Sequence, residues 1–210
     1  DVDCMRAEGI EGNVELIYNG VIDHTQNDSL IKQNPFIKEQ LEKIRQQYKH
    51  VIMCLARISP QKKFDLFVDI AKQKPEYGFV WIGNKNEVKD LPSNVFCLGE
   101  AFEAHQYLKY ADLFILPSNY EGLPISLLEA LSYGVPVVAS AVGGITEVLD
   151  GTNGYAVGNT IQEFVEKIDV ILEDKEAFDK MKQNARKSYS DRFTIVKMVN
   201  IYIAVYKDIL

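Results

Sequence analysis

The sequence predicts an α/β fold in which a parallel β-sheet is covered by helices on both faces. From about residue 50 onward, short and almost continuously apolar runs alternate with segments whose apolar residues recur at three- and four-residue spacing. Strands that are buried on both faces produce the first pattern, and amphipathic helices produce the second. This alternation is typical of a Rossmann-like domain, whose ligand lies beyond the carboxyl ends of the strands.

The predicted strands and helices follow one another without an internal repeat. The strands are residues 15–23, 51–57, 77–83, 94–99, 113–118 and 135–140. The helices are residues 36–48, 64–73, 103–111, a helix that opens near residue 124, 161–173 and 175–190. The glycine-rich stretch 142–159 is predicted to form turns around a short helix and a short strand. Four of the strands end in residues that we expect to share one edge of the sheet, namely Arg57, Gly83, Gly99 and Ser118.

The last segment is predicted to be an amphipathic helix that ends the chain. Its apolar residues recur at three- and four-residue spacing and are Ile195, Met198, Val199, Tyr202, Val205, Tyr206 and Ile209. Such a stripe is expected to be covered by another part of the protein. We interpret residues 1–210 as a single Rossmann-like domain, with a lead-in strand and turn over 1–22 and a terminal helix over 193–210.

The composition indicates a globular protein with an acidic balance. Of 210 residues, 47% are hydrophobic, and the formal net charge is −7. Nucleic-acid binding requires a concentrated basic face, so we expect no nucleic-acid partner. The cysteines, Cys4, Cys54 and Cys97, are far apart, and we expect them to be reduced, with the last two buried. The sequence contains neither a membrane-spanning apolar run nor a signal-peptide pattern, so we predict a soluble, cytoplasmic protein.

The stretch NYEGLPISLLEAL, residues 119–131, has the pattern of a strand-to-helix junction. Gly122 loosens the turn, and Pro124 suits the first helical position, where a missing N–H is harmless. Backbone N–H groups at a helix start lack partners, and the helix dipole adds partial positive charge there. Phosphate is the ligand that such a junction attracts most strongly. The candidate donors are the backbone N–H groups of Gly122, Leu123, Ile125 and Ser126.

Two glutamates stand in this stretch. Helical spacing predicts that the Glu129 carboxylate lies on or beside the buried face, in a stripe with Ile125, Leu128 and Ser132. An unpaired buried carboxylate is costly, so Glu129 must be protonated or hold good hydrogen-bond donors. Those donors come either from the fold or from a ligand, and the spacing leaves both alternatives open. Glu121 is also open to two interpretations, because an acidic residue before a helix is an ordinary favourable cap.

Two basic residues are predicted to lie near the same edge. Arg57 ends a strand, and Lys62 precedes the next helix. Arginine binds oxyanions through two parallel hydrogen bonds, and lysine supplies a compact positive charge. Two cations beside a helix N-terminus would suit a diphosphate, whereas the alternative is that both side chains are ordinary solvated surface.

Together these segments resemble the C-terminal, donor-binding half of the family 4, or group 1, glycosyltransferases, which have the GT-B fold. The matching segments are IYNGVI (17–22), ARISPQKKFDLFVDIAK (56–72), VFCLGEA (95–101), YADLFILPSNYEGLPISLLEALSYGVPVVAS (110–140) and GGITEVLDGTNGYAV (143–157). Their order and spacing also match. Glu121 and Glu129 resemble the family's pair of glutamates separated by seven residues.

The resemblance implies roles for individual residues. Arg57, Lys62 and Glu121 would be catalytic: the two cations grip the donor diphosphate and stabilise the leaving group, and Glu121 lies beside the transferred sugar. The backbone of residues 122–126 would contact the sugar hydroxyls and phosphate, and Glu129 would accept hydrogen bonds from the ribose. The substrate-binding set is Arg57, Lys62, Gly83, Gly99, Glu121, Gly122, Leu123, Pro124, Ile125, Ser126 and Glu129, with Cys97 to Ala101 near the base.

The resemblance also implies an activity. It is a retaining hexosyl transfer from a nucleotide-diphosphate sugar, with UDP- or GDP-sugars expected, in cell-surface polysaccharide biosynthesis. No cofactor or metal is expected, and the Asp1–Val2–Asp3 triplet is not interpreted as a metal motif. A glycan or lipid-linked acceptor would bind mainly through an N-terminal domain outside this chain, which carries the family's histidine. Alone, the chain is expected to bind nucleotide weakly and to transfer sugar poorly, and its terminal helix to self-associate or be mobile.

Three departures from the family pattern are visible, and several alternative functions remain. Lys63 stands where the family usually has glycine, GNKNE (83–87) replaces a glycine-rich loop, and VID (21–23) replaces an aspartate directly after Asn-Gly-Val.

The alternative functions are a glycogen or starch synthase-like enzyme, a nucleotide-sugar epimerase, and a binding module without catalysis. A nicotinamide-dependent dehydrogenase is disfavoured because no GxGxxG follows a strand. The full-length enzyme is also expected at the inner face of the plasma membrane.

Overall fold

The computed structural model describes residues 2–9, 12, 14–26 and 33–209. These residues form one parallel sheet, whose strands are β1 Val51–Leu55, β2 Gly78–Ile82, β3 Val95–Cys97, β4 Leu113–Leu116, β5 Val137–Ser140 and β6 Gly154–Val157. The spatial order is β3-β2-β1-β4-β5-β6, and every pairing is parallel. The order therefore reverses between β1 and β4, which is where open sheets of this type bind their ligands.

The α-helices are α1 Val2–Ala7, α2 Pro35–Gln47, α3 Phe64–Gln73, α4 Ile125–Ser132, α5 Ile145–Val148, α6 Ile161–Leu172, α7 Lys175–Arg192 and α8 Ile195–Ile209. Short 3₁₀ helices span His24–Gln26, Pro60–Lys62 and Ala104–Tyr110. The predicted helix over 103–111 is therefore a 3₁₀ helix, and the other predicted helices are confirmed as α-helices. Side-chain caps begin α2, α6 and α7, where Asn34, Thr160 and Asp174 accept backbone N–H groups.

The core lies on both faces of the sheet. All residues of β1, β2, β4 and β5 are buried, which explains why their sequences are continuous apolar runs. Helix α3 packs with α6, whereas α4 packs with α7 and with the Ala104–Tyr110 helix, which also contacts α2. The predicted α/β fold with a helix-covered parallel sheet is confirmed.

The predicted strand over residues 15–23 is wrong. Residues 14–20 have no regular secondary structure, and Val21 forms a single bridge with Thr194. The backbone groups of Val21 bond to the junction between α7 and α8 rather than to a sheet edge: its N–H donates to Phe193 and its carbonyl accepts from Ile195. These partners satisfy both backbone groups of Val21 without a sheet neighbour.

The segment from Val21 to His24 is fastened to the domain by side chains as well. Asp23 forms a two-pronged ion pair with Arg186 of α7. Burial alone would raise the pKa of Asp23, but the hydrogen bonds and charge of Arg186 together with the hydrogen bonds from Thr25 outweigh it and hold that pKa below its usual value. The ring of His24 stacks on His105 with centroids 3.8 Å apart. Asp23 therefore forms a firm anchor even though VID departs from the family pattern.

Helix α8 is formed as predicted, and its apolar stripe is partly uncovered. Val199, Tyr202 and Tyr206 are exposed, and Val196 and Ile203 beside them are exposed too.

Cys54 is buried and Cys97 is partly exposed, so only the first of these thiols lies where expected. Within the described residues, none of the helices combines the length and the apolar character that crossing a bilayer requires.

Candidate active site

The carboxyl ends of the strands bring the predicted edge residues together. Arg57 follows β1, Gly83 follows β2, Gly99 follows β3 and Ser118 follows β4. Gly83 has φ +122°, and an added Cβ would lie 2.4 Å from the Ala56 carbonyl oxygen, so this position accepts only glycine without rearrangement. Gly99 has φ +86° but faces open space. The absence of a side chain at Gly99 therefore leaves space at this edge. The absence of one at Gly83 allows its backbone to pack against Ala56.

The loop between β1 and α3 is fastened to the loop between β4 and α4. The Asn119 backbone N–H donates to the Gln61 carbonyl at 2.8 Å. The Asn119 side chain donates to the Pro60 carbonyl at 2.9 Å, and the Gln61 side chain donates to the Tyr120 carbonyl at 2.9 Å. The two loops that carry the predicted cations and the predicted glutamate therefore form one wall. Neither Gln61 nor Asn119 stood out in the sequence.

Lys62 and Glu121 form the central ion pair of this wall. The Lys62 ammonium lies 2.5 Å from Glu121 Oε1, and their side chains are only 18% and 7% exposed. The Ser118 hydroxyl donates to the same Glu121 oxygen at 2.6 Å. The alternative that Lys62 is solvated surface is therefore wrong, because the residue is mostly buried and paired. Glu121 does not cap α4 and is instead fixed by two donors from the protein.

Arg57 lies on the same β1–α3 loop as Lys62 and is exposed. Together with residues 58–61, Asn119 and Tyr120 it lines a cavity of about 430 Å³. In the part of the chain that the structure describes, its guanidinium has no ion-pair partner. Burial penalties do not apply to such an exposed cation, and its charge is available to a ligand that enters the cavity.

The N-terminus of α4 opens onto the same edge. The first helical residue is Ile125, so α4 begins one residue later than predicted, and Pro124 is its N-cap with φ −66° and ψ 125°. In the residues that the structure describes, no side chain caps this helix end. Proline at the N-cap keeps extended dihedrals that it reaches without strain. Ile125 is 46% exposed, so it does not belong to the buried stripe predicted for it. The first N–H groups of α4 therefore remain available to an anion.

Glu129 lies on the next turns of α4 with its carboxyl largely removed from water. Burial raises its pKa from 4.5 to about 7. Among the described residues, no side-chain or backbone donor reaches its carboxylate. Within that part of the chain, the interpretation in which the fold itself supplies the donors is therefore wrong. A carboxyl group in this state is ready to accept hydrogen bonds from hydroxyl groups of a ligand, which would favour its charged form.

Glycines allow other groups to approach the loop that carries Glu121 closely. A Cβ on Gly122 would meet nothing within 4 Å, so this backbone is open to close approach by a ligand. Gly143 has φ +53°, and its Cβ would lie 1.8 Å from the Glu121 carbonyl oxygen. The Gly144 N–H donates to the Gly122 carbonyl at 2.9 Å. The sequence assigned Gly143 and Gly144 only to a turn, whereas they support the loop that carries Glu121.

A second cavity, of about 230 Å³, borders the loop that carries Glu121. Its wall is formed by residues 16–19, residues 121–123, Gly143, Gly144 and Glu147. The Tyr18 hydroxyl donates to the Glu147 carboxylate at 2.7 Å, and this hydrogen bond is the main reason that the pKa of Tyr18 is raised. Leu123 therefore lines this cavity together with Glu121 and Gly122.

The departures from the family pattern have local explanations. Lys63 occupies the glycine position in the left-handed region, with φ 43° and ψ 51°, so the backbone keeps the glycine conformation at some cost in strain. In the GNKNE loop, Asn84 accepts the Gly99 N–H at 2.8 Å and donates to the Asn86 carbonyl. This asparagine braces the loop after β3. Asp1 lies outside the described residues, so its triplet is not tested.

This geometry defines an α/β domain in which an ion pair and the uncapped N-terminus of α4 lie at the carboxyl edge of a parallel sheet. A model of the family described as glycosyl transferases group 1 matches residues 33–188. The chain belongs to the group 1 glycosyltransferases.

The O-antigen biosynthesis glycosyltransferase WbnH of Escherichia coli is 31% identical over 170 residues, which is 78% of this chain and 47% of WbnH. The lipopolysaccharide core biosynthesis mannosyltransferase LpsB of Rhizobium meliloti is 26% identical over 85% of this chain and 58% of LpsB. The chain thus spans about half the length of these relatives.

Solved structures agree with the family. HepE from Anabaena, in complex with UDP, superposes with a TM-score of 0.76 at 27% identity, covering 93% of this chain and 57% of HepE. A C-terminal domain of a group 1 family protein, LpcC from Francisella tularensis, is matched over its whole length and over 84% of this chain, with a TM-score of 0.66 at 22% identity. The second match concerns the fold alone, which is the GT-B half-domain predicted from the sequence.

Proposed function

We propose that this chain is the donor-binding half of a retaining hexosyltransferase that uses a nucleotide-diphosphate sugar. The observation that carries the proposal is the Lys62–Glu121 ion pair next to the start of α4, with the exposed Arg57 on the same loop as Lys62. Positive charge, an uncapped helix N-terminus and a carboxylate that needs donors are combined at one sheet edge. A diphosphate flanked by two hydroxyl-bearing groups is the ligand that complements all of them.

In this proposal, different parts of the donor contact different residues around the N-terminus of α4. The diphosphate lies against Arg57, Lys62 and the first N–H groups of α4. The transferred sugar lies beside Glu121 and the ribose beside Glu129. Glu121 precedes α4 and Glu129 lies on it, so the two carboxylates flank the start of the helix and can contact different parts of one ligand. The base lies toward Gly99, in the region that Asn84 braces.

The chemistry is electrostatic. Cleavage of the bond between the sugar and the diphosphate leaves negative charge on the departing phosphate. Arg57, Lys62 and the N-terminus of α4 stabilise that charge from fixed positions, so no protein nucleophile and no metal is invoked. Retention at the reacting carbon is what the resemblance to family 4 implies. The HepE complexes with UDP and UDP-glucose support a uridine donor in particular.

The acceptor and the cellular setting are proposed from the relatives. Two of them are described as transferases acting on diphosphoundecaprenol-linked sugars. A lipid-linked or glycan acceptor in cell-surface polysaccharide synthesis would accordingly bind through the part of the protein that this chain lacks. The enzyme would then work at the inner face of the plasma membrane. The exposed apolar side chains of α8 would pack on the other domain and would cause self-association when that domain is absent.

A nucleotide titration panel tests the proposal. Calorimetry would compare UDP, GDP, ADP and their sugars with the wild-type chain, Arg57→Ala and Glu129→Ala. We expect at least one nucleotide to bind and each substitution to weaken it by roughly ten-fold, the loss of one charge-assisted or buried hydrogen bond. NAD is the control and should not bind. Absence of binding by every nucleotide, or unchanged affinity in both variants, would overturn the assignment.

The chain alone should also be a poor catalyst. Release of UDP from UDP-glucose that depends on an added acceptor would be measured with this chain and with a longer protein that carries both domains. Turnover is expected only from the longer protein. Robust acceptor-dependent turnover by residues 1–210 would contradict the division of labour between the two halves.

A further inference from the structure

A closed ring of hydrogen bonds surrounds the peptide of Ser118, at the end of β4. The Ser118 N–H donates to the Ser140 hydroxyl oxygen at 2.8 Å. The Ser140 hydroxyl donates to the Asn159 Oδ1 at 2.6 Å, and the Asn159 Nδ2 donates to the Ser118 carbonyl at 2.9 Å. Both the donor and the acceptor of this residue are therefore held by side chains from the ends of β5 and β6.

The ring admits only one arrangement of its groups. The Ser140 hydroxyl has one proton, which it gives to Asn159, and it uses a lone pair for the Ser118 N–H. If the Asn159 amide were flipped, its oxygen would face the Ser118 carbonyl oxygen, and two acceptors would oppose each other. Ser118 and Ser140 are fully buried, so an error in the ring would leave unsatisfied polar atoms away from water.

The ring acts on the residue that holds Glu121. The Ser118 hydroxyl donates to Glu121 Oε1 at 2.6 Å, the same oxygen that contacts the Lys62 ammonium. A shift of the Ser118 backbone would therefore move one of the two donors that fix this carboxylate. Asn159 is exposed at the same edge of the sheet, just before Thr160, the N-cap of α6. It needs no such ring to satisfy its own polar atoms, because water reaches it.

We propose that Asn159 and Ser140 are positioning residues for Glu121 and act through Ser118. This inference rests on the proposed function, in which Glu121 lies beside the transferred sugar. Through the ring, β6 and the start of α6 determine where the sugar-side carboxylate points, although neither contributes a group to the diphosphate site. Loss of the ring should therefore weaken recognition of the sugar and spare recognition of the nucleotide.

Calorimetric titration with UDP and with UDP-glucose separates these effects. In Asn159→Ala, we expect UDP-glucose affinity to fall about five-fold, as for one neutral hydrogen bond, while UDP affinity changes less than about two-fold. In a Glu121→Gln background, the same substitution should produce no further loss. Asn184→Ala, which removes an asparagine hydrogen bond to the Thr152 carbonyl elsewhere, is the matched control and should change neither affinity.

Several results would overturn the inference. Equal losses for UDP and UDP-glucose, or losses that add to those of Glu121→Gln, would mean that Asn159 only supports the fold. A ligand-free measurement is hydrogen exchange at the Ser118 amide, which should accelerate about five-fold or more in Asn159→Ala. Unchanged exchange would show that the ring does not hold Ser118. If the wild-type chain bound neither ligand, the proposed function would fail, whereas the exchange result would still decide whether the ring exists.

Discussion

Glu121 and Glu129 stand at the two ends of one helix mouth in opposite states. Glu121 is held by an ammonium and a hydroxyl, in a side chain that is 7% exposed. Glu129 is also removed from water, but burial raises its pKa to about 7 because no donor in the described part of the chain reaches it. The fold therefore supplies hydrogen-bond donors to the Glu121 carboxylate, but the described residues supply none to the Glu129 carboxyl. We call Glu121 the completed carboxylate and Glu129 the incomplete one. An incomplete buried carboxyl lowers stability, and such costs are typical of binding sites.

The first prediction removes the cation that pairs with Glu121, and it has the largest expected effect. Lys62→Ala would leave Glu121 without its cation at a mostly buried position. We expect the free energy of unfolding to fall by about 3 kcal/mol, the lower end for breaking a buried ion pair, since Ser118 still donates. Urea denaturation at neutral pH measures this change.

An exposed ion pair supplies the control for Lys62. Lys43 and Glu39 pair on the surface of α2, with both side chains 61% exposed. Lys43→Ala should change the free energy of unfolding by less than about 1 kcal/mol. In addition, the double variant Lys62→Ala, Glu121→Ala should recover part of the loss of Lys62→Ala. If the double variant were less stable than the single variant by the full cost of a second deletion, the two residues would not be coupled.

The second prediction compares two glycines around Glu121. Gly143→Ala places a Cβ against the Glu121 carbonyl oxygen at a positive φ, so we expect a loss of roughly 2 to 3 kcal/mol of stability. Gly122→Ala adds a methyl group in open space and should leave stability within about 1 kcal/mol. The same methyl group should weaken nucleotide-sugar binding, because the ligand approaches that backbone. Thermal unfolding and calorimetry test the pair, and normal ligand affinity in Gly122→Ala would place the ligand elsewhere.

The third prediction removes the incomplete carboxyl. The folded-state pKa of Glu129 is raised, so its contribution to stability is present below about pH 4.5 and is lost as the pH rises through about 7. Glu129→Gln should therefore stabilise the chain at about pH 8 by roughly 2 kcal/mol and have little effect at about pH 4. Urea denaturation at the two pH values measures the difference. A variant that is less stable than the wild type at about pH 8 would mean that Glu129 has a donor after all.

The fourth prediction concerns the backbone next to Lys62 and has the smallest expected effect. Lys63→Gly relieves a left-handed lysine and should add about 1 kcal/mol of stability. Lys63→Ala keeps the strain and should not stabilise. If the strain helps to place Lys62, then Lys63→Gly should also weaken UDP binding, and if the loop is already set by Gln61 and Asn119, binding should be unchanged. The hydrogen bonds of Asn119 to this loop favour the second result.

The fold was predictable wherever burial imposes a regular pattern of apolar residues on the sequence. Strands buried on both faces must be apolar throughout, and that pattern located β1 to β5 and therefore the edge with Arg57 and Gly99. The same pattern failed for residues 15–23. That segment does contain short apolar runs, but the backbone partners of Val21 are Phe193 and Ile195, which lie far away in the sequence.

Less of the site was predictable, because its contacts join distant loops. Spacing alone placed Glu129 beside the buried face, but it could not reveal that Lys62 contacts Glu121 rather than solvent. The resemblance suggested both residues without giving the contact. Single polar residues such as Ser140 and Asn159 leave no periodic signal, so their ring appears only when the ends of β4, β5 and β6 are brought together. The start of α4 was misplaced by one residue, since proline fits the N-cap as readily as the first turn.

Proton release on nucleotide binding tests the central claim most directly. Calorimetric titration of UDP at about pH 7, in buffers of different ionisation enthalpy, gives the number of protons released per ligand bound. Ribose hydroxyls that donate to Glu129 would favour its charged form, so the wild-type chain should release up to roughly half a proton more than Glu129→Gln, whose affinity should also be weaker. Equal proton release and equal affinity in the two proteins, or no binding of UDP, GDP or ADP at all, would contradict the account.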